Sequence, residues 1–134
     1  MNAFRWPVRV YYEDTDHGGV VYYANYLKFM ERARTEWLRS LGYEQDRLID
    51  EQQTIFVVRS AQLDFLRPAR FNDLLEVEAS VAERSKVTFT FAQRVMRGEE
   101  TLCSGMVRVA CLDATSFRPR PLPAALIAEM TDGQ

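Results

Sequence analysis

The feature that most constrains the fold is a single change of period. Over residues 22–41 the apolar side chains Tyr26, Phe29, Met30, Ala33, Trp37 and Leu41 recur at three- and four-residue steps, with Lys28, Arg32, Glu36 and Arg39 mainly on the other side. That spacing predicts one long helix with one stripe to bury. Gly42 follows Leu41 directly, where a left-handed residue closes a helix. From Thr54 onward the period is two. Ala61, Leu63 and Phe65 alternate with polar residues until Pro68, then Leu75, Val77, Ala79 and Val81, then Val87, Phe89 and Phe91, and last Val107, Val109 and Cys111. Arg84-Ser85-Lys86 and Gly98-Glu99-Glu100 are short polar breaks of the kind that turn hairpins. Upstream, residues 4–13 read as a strand with Val8, Val10 and Tyr12 on one face. Residues 46–52 read as a further helical turn, and Pro119, Pro121 and Pro123 hold the tail extended or turned until Ala124.

The predicted order is therefore β, α, β, β, β, β, an α+β chain. A single helical stripe must be covered, and the economical cover is a curved antiparallel sheet of about five strands wrapped around the long helix. The 134 residues fit one domain spanning the whole of 1–134. An open sheet leaves unpaired edges, so a homodimer or homotetramer is expected. The net charge of -2 offers no basic excess for nucleic acid. No apolar run approaches the roughly 20 residues of a membrane span, and residues 1–7 carry no apolar leader core, so a cytoplasmic location is expected. Cys103 and Cys111 lie eight residues apart on the last predicted strand, about 26 Å at strand rise, which is beyond disulfide reach. Reduced, structural thiols are expected.

The run Val10-Tyr11-Tyr12-Glu13-Asp14-Thr15-Asp16-His17-Gly18-Gly19-Val20-Val21-Tyr22-Tyr23 sets two aspartates and a glycine pair between a strand and a helix N-terminus. Two readings stand side by side. One is a solvated turn with an N-capping aspartate. The other is an acyl-transfer site. A carboxylate there could attack a carbonyl or activate water, helix amides could hold the oxyanion, and glycines let the backbone approach a ligand. His17 is the single histidine, and beside Asp14 and Asp16 it falls short of the three or four organised ligands of a metal site. No metal is expected.

This segment, extended back through Phe4-Arg5-Trp6-Pro7-Val8-Arg9 and forward through Leu27-Lys28-Phe29-Met30-Glu31-Arg32-Ala33-Arg34-Thr35-Glu36, resembles the signature of the 4-hydroxybenzoyl-CoA thioesterase family of hot-dog proteins. Within that family it is most similar to the Tol-Pal-associated acyl-CoA thioesterases. Weaker likeness runs through Phe56-Val57-Val58-Arg59 and Pro68-Ala69-Arg70. The resemblance implies a hot-dog fold and hydrolysis, without a cofactor, of acyl-CoA thioesters, short-chain ones first, with acyl carrier protein as another possible thiol. It implies that Asp16 is the catalytic carboxylate, that the Tyr23 backbone N–H meets the thioester carbonyl, and that Tyr12 assists. Close relatives carry histidine at the position of Tyr23, so the backbone role carries over and the side-chain role does not. Glu31 is implied as a reader of the acyl group, against a plain surface glutamate paired with Arg34 or another basic neighbour. Arg84 and Lys86 are implied as contacts for the CoA phosphates, against solubilising turn residues. Two other functions compete with hydrolysis: an acyl-carrier or lipid-synthesis binding partner with weak turnover, and a hot-dog dehydratase. Asp16 speaks against the first, and the place of His17 before the helix against the second.

Overall fold

The computed structural model describes residues 3–132, with side chains as far as Met130. Its elements in chain order are β1 (Phe4–Arg9), α1 (Asn25–Ser40), α2 (Gln45–Gln52), β2 (Thr54–Phe65), β3 (Leu74–Arg84), β4 (Thr88–Arg97), β5 (Glu100–Asp113) and α3 (Ala124–Asp132). The strands form one antiparallel sheet in the order β1-β3-β4-β5-β2. The short, proline-bearing β1 is one edge and the 12-residue β2 is the other.

The helical stripe does what its period requires. Tyr26, Phe29, Met30, Ala33 and Leu38 of α1 are buried and join one core with the inward residues of β3, β4 and β5. Those inward residues include Leu75, Val77, Ala79 and Val81, whose alternation was legible as a strand face. Trp37 and Phe56 stand edge-on to Phe91 and Phe89. Each large apolar side chain buried this way stabilises the fold by about 1.5–3 kcal/mol. A polar side chain also ties this layer together. Gln93 is buried, donates from Nε2 to the Met30 carbonyl and accepts from Arg34 Nη1, so it ties α1 to β4 with its amide satisfied. Burial pulls the Arg34 guanidinium below the usual arginine value, with Glu31 opposing. On the outer face of the sheet the buried carboxylate of Glu78 is bracketed by Arg5 and Arg94.

Several expectations need correction. The first strand ends at Arg9 and does not reach Glu13; the chain enters a 3₁₀ turn at Tyr12–Asp14. The cause is local. The Asp14 carboxylate accepts from the Tyr11 amide at 2.8 Å, which bends the backbone and leaves Tyr12 80% exposed instead of facing inward with Val8 and Val10. Helix α1 begins at Asn25, three residues after the predicted start, and Leu38 is more deeply buried than Trp37 or Leu41. Arg84 closes β3 and is not part of the turn. α3 was not foreseen; Leu122, Leu126 and Met130, at four-residue steps, bury against the core. Gly42 does take a left-handed φ of 92° at the end of α1. Cys103 and Cys111 both lie in β5, buried and free; burial, with Asp64 adding, pushes the Cys103 thiol up to about 12. Burial raises Cys111 to about 11, with Arg120 opposing. Among the described residues no helix is long and apolar enough to cross a membrane.

Candidate active site

The loop between β1 and α1 closes on itself as a small hairpin. Thr15 bridges Val21, the Asp16 amide donates to the Val20 carbonyl at 2.9 Å, and the Gly19 amide donates to the Asp16 carbonyl at 3.1 Å. Gly19 sits at φ 77°, a conformation that costs glycine little and other residues more. At the tip of this hairpin, Oδ1 of Asp16 accepts from the Gly18 amide at 2.9 Å, and Oδ2 has no hydrogen-bond partner among the described residues. The carboxylate is exposed on the single chain. Asp14 is used differently. Its carboxylate caps the Tyr11 amide, and its carbonyl receives the Tyr22 amide and the Asn25 side chain. Asp14 builds the turn and Asp16 is carried by it.

The entry to α1 is the second half of the site. The Tyr22 amide is taken by Asp14; those of Asn25, Tyr26 and Leu27 are taken by the carbonyls of Tyr22, Tyr23 and Ala24. The amides of Tyr23 and Ala24 find no acceptor among the described residues. Unpaired N–H groups at a helix start carry its partial positive charge and suit a developing oxyanion.

Both halves rest on the loop joining β2 to β3, residues 66–73. The Ala69 carbonyl accepts from Val21 at 2.8 Å, Arg70 bridges Val20, and Val10 exchanges hydrogen bonds with Asp73 and Asn72. Asp73 is itself held by the Arg70 amide at 2.9 Å and by Arg97 at 2.7 Å. Burial alone would raise its pKa, but these two donors outweigh it and the carboxyl stays below the usual range. An open, largely apolar cavity of about 250 Å³ lies beside this seam, walled by Val21, Tyr23, Tyr26, Phe65, Leu66 and Pro68. Phe65 stands edge-on to Tyr23 at 5.9 Å and tilted against Tyr26 at 5.6 Å. Tyr22 leans on Tyr23 with ring centroids 4.9 Å apart, and the neighbouring phenol raises the Tyr22 pKa.

The other predicted site residues are more scattered. Tyr12 lies in the same loop, its ring edge-on to Phe71 at 6.0 Å and its carbonyl receiving Thr15. Glu31 is on an exposed part of α1 and accepts from the Thr35 hydroxyl, while Arg34 donates to Gln93 and feels the Glu31 charge without a hydrogen bond to it among the described residues. Arg84 and exposed Lys86 flank the β3–β4 hairpin, at the far end of a strand that starts beside Arg9 and runs 11 residues, a reach of about 33 Å at strand rise. One chain does not bring them to Asp16. Arg84, Arg108, Ser85 and Thr88 border a groove of about 310 Å³ at that end. No three His, Cys, Asp or Glu side chains among the described residues converge as metal ligands. The support loop around Ala69 carries the likeness noted at Pro68-Ala69-Arg70, but no period in the sequence places it beside the hairpin that holds Asp16.

A long helix lying on a five-stranded antiparallel sheet, with a carboxylate-bearing loop at its N-terminus, defines the hot-dog α+β class. The sequence model of the thioesterase superfamily matches residues 18–104, and the chain belongs to that superfamily. It is 50% identical over 122 residues to the acyl-CoA thioesterase YbgC of Haemophilus influenzae, covering 91% of this chain and 90% of that one. It is 46% identical over 127 residues to the acyl-CoA thioester hydrolase YbgC of Escherichia coli O157:H7, covering 94% of each. A solved structure of a 1,4-dihydroxy-2-naphthoyl-CoA thioesterase from Synechocystis superposes with a TM-score of 0.90 at 25% identity, covering 98% of this chain and 97% of that one.

Proposed function

We propose that this protein hydrolyses acyl-CoA thioesters, with Asp16 as the reacting carboxylate and the Tyr23 amide as oxyanion donor. The observation that carries the reading is that two amides at the start of α1, and Oδ2 of an aspartate on the hairpin leading into that helix, all lack hydrogen-bond partners among the described residues. The similarity to acyl-CoA thioesterases supports the choice of substrate. A thioester has weak resonance, so a positioned carboxylate suffices. In one route Asp16 adds to the acyl carbon, electrons move onto the carbonyl oxygen beside the Tyr23 amide, and collapse expels the CoA thiolate. That leaves a mixed anhydride for water to cleave. In the other route Asp16 takes a proton from the water that attacks. Both routes place the same developing charge at the helix N-terminus.

The proposal includes a second copy. β2 is the long edge, with Val58 and Phe65 about half exposed, whereas β1 is short and carries Pro7. Two β2 strands paired antiparallel would lay the Phe65 end of one chain beside the Thr54 end of the other. That is the end at which β3 finishes, so the partner's Arg84 and Lys86 would approach the first chain's site and could meet the CoA phosphates. Glu31 and Tyr12 would then lie toward the acyl group and the carboxylate. Short-chain acyl-CoA is the proposed substrate, with acyl carrier protein as the second thiol to try. The cytoplasm is the proposed location.

Initial rates on a series of acyl-CoAs and one acyl carrier protein thioester, together with a light-scattering mass, test this reading. Expected are turnover of at least one acyl-CoA and a mass of two or more chains. Absence of hydrolysis across the series overturns the function, and a mass of one chain at micromolar concentration overturns the assembly.

A further inference from the structure

We propose that Tyr26 is a positioning residue, whose phenol oxygen locks the Tyr23 amide in aim by accepting a hydrogen bond from Ala69. This rests on the reading of the Tyr23 amide as oxyanion donor. Tyr26 is only 3% exposed, and its Oη accepts from the Ala69 amide at 3.0 Å across 43 positions of sequence. The carbonyl of the same residue, Ala69, accepts from Val21 at 2.8 Å. The two ends of segment 21–26 are thus tied to one fully buried residue, and Tyr23 lies between them. A third bond, from the Tyr26 amide to the Tyr23 carbonyl at 3.3 Å, completes the bracing. Ala69 cannot drift, because the Arg97 guanidinium bonds to Asp73 at 2.7 Å and reaches the Pro68 carbonyl at 3.4 Å.

Packing does not require the hydroxyl. The Tyr26 ring meets Phe29 edge-on at 6.1 Å and Phe65 at 5.6 Å, contacts that a phenylalanine would keep. Among the described residues the oxygen's one partner is the Ala69 N–H, which would be left buried and unsatisfied without it. The phenol titrates above the ordinary tyrosine value, chiefly through burial and against the pull of the Ala69 bond, so it remains a neutral acceptor at working pH.

The test is Tyr26→Phe against Val95→Ala, a change at a buried β4 side chain that does not line the cavity, with Asp16→Asn alongside. A misaimed oxyanion donor is expected to lower kcat about 10- to 100-fold with KM within about twofold. Val95→Ala is expected to retain kcat per folded chain. A second readout uses two unreactive CoA derivatives, a ketone with methylene in place of sulfur and a thioether without a carbonyl. Tyr26→Phe is expected to erode the ketone's affinity advantage over the thioether. Affinity is counted per folded chain, so partial unfolding cannot imitate this result. Turnover within twofold of wild type in Tyr26→Phe, or an equal fall in Val95→Ala, overturns the bracing role. If Tyr26→Phe is normal while Asp16→Asn is crippled, the bracing falls and the Asp16 reading stands. If Asp16→Asn is also normal, the reading beneath it has failed.

Discussion

Replacing Gly105 by alanine is expected to destabilise the protein by about 1 kcal/mol, although the change adds a single methyl group. Gly105 lies in β5 opposite Leu63 of β2 and Gln93 of β4. A Cβ there would stand 3.0 Å from the Gln62 carbonyl oxygen and 3.1 and 3.2 Å from Cγ and Cδ1 of Leu63. The leucine can swing away, but the carbonyl belongs to the β2–β5 ladder and can only retreat by parting the strands. Overpacking of this kind costs about 1–3 kcal/mol, and a fixed backbone atom puts it in the upper half of that range. Two gains oppose it: a stiffer unfolded chain, about 0.4–1 kcal/mol, and the burial of one methyl group, at most about 0.8 kcal/mol. The balance should appear as a lower urea midpoint at unchanged slope and a melting temperature lower by about 3–5 °C, measured at fixed protein concentration. Because Leu63 lies two residues from the cavity wall at Phe65, turnover should also decline. An unchanged or raised midpoint would refute the reasoning, since it would mean that the strands part at no cost.

Two further outcomes follow from the titrating groups. The Cys103 and Cys111 thiols, raised by burial to about 12 and about 11, should resist iodoacetamide at pH 8 in the native protein and label fully in urea; rapid native labelling seen by mass spectrometry would contradict their placement. Asp73 has a lowered folded pKa, so its contribution is present above the unfolded value near 4 and is lost as pH falls through the folded one. Asp73→Asn should therefore cost about 1 kcal/mol at pH 7 and almost nothing once both states are protonated in acid, and a penalty that persists undiminished there would exclude the charge-based account.

The helix and the central strands could be read from the sequence because burial leaves a period in it. Tyr26, Phe29, Met30 and Ala33 repeat as only a helix would require, and Leu75 to Val81 alternate as only a half-buried strand would. Tyr12 misled for the same reason. It continues the alternation of Val8 and Val10, and nothing in that pattern reveals that the Asp14 carboxylate takes the Tyr11 amide and turns the chain. The strand order was not legible either. β2 crosses to pair with β5, and β1 with β3, through contacts far apart in sequence. Leu122, Leu126 and Met130 do carry a helical step, but Pro119, Pro121 and Pro123 ahead of them fix extended or turned backbone and hide it. At the site, resemblance and not period points to Asp16 and Tyr23; among the described residues the Tyr23 and Ala24 amides at the entry to α1 find no acceptor. The hydroxyl of Tyr26 was hidden behind its ring, since the helical stripe already accounts for a buried aromatic.

The most direct test of the account is the turnover number of Asp16→Asn beside that of Asp14→Asn, each purified, shown to be folded, and assayed on a short-chain acyl-CoA. Asparagine keeps the shape of Asp16 and removes its charge, basicity and most of its nucleophilicity. Loss of a positioned base costs on the order of 10² to 10⁴ in rate, so kcat should fall by at least about 100-fold while KM changes little, because Asp16 serves the transition state. Asp14→Asn should lose far less, since its carboxylate caps the Tyr11 amide, a bond an asparagine oxygen can also accept. Near-normal turnover by Asp16→Asn, or equal damage from the two substitutions, would contradict the account.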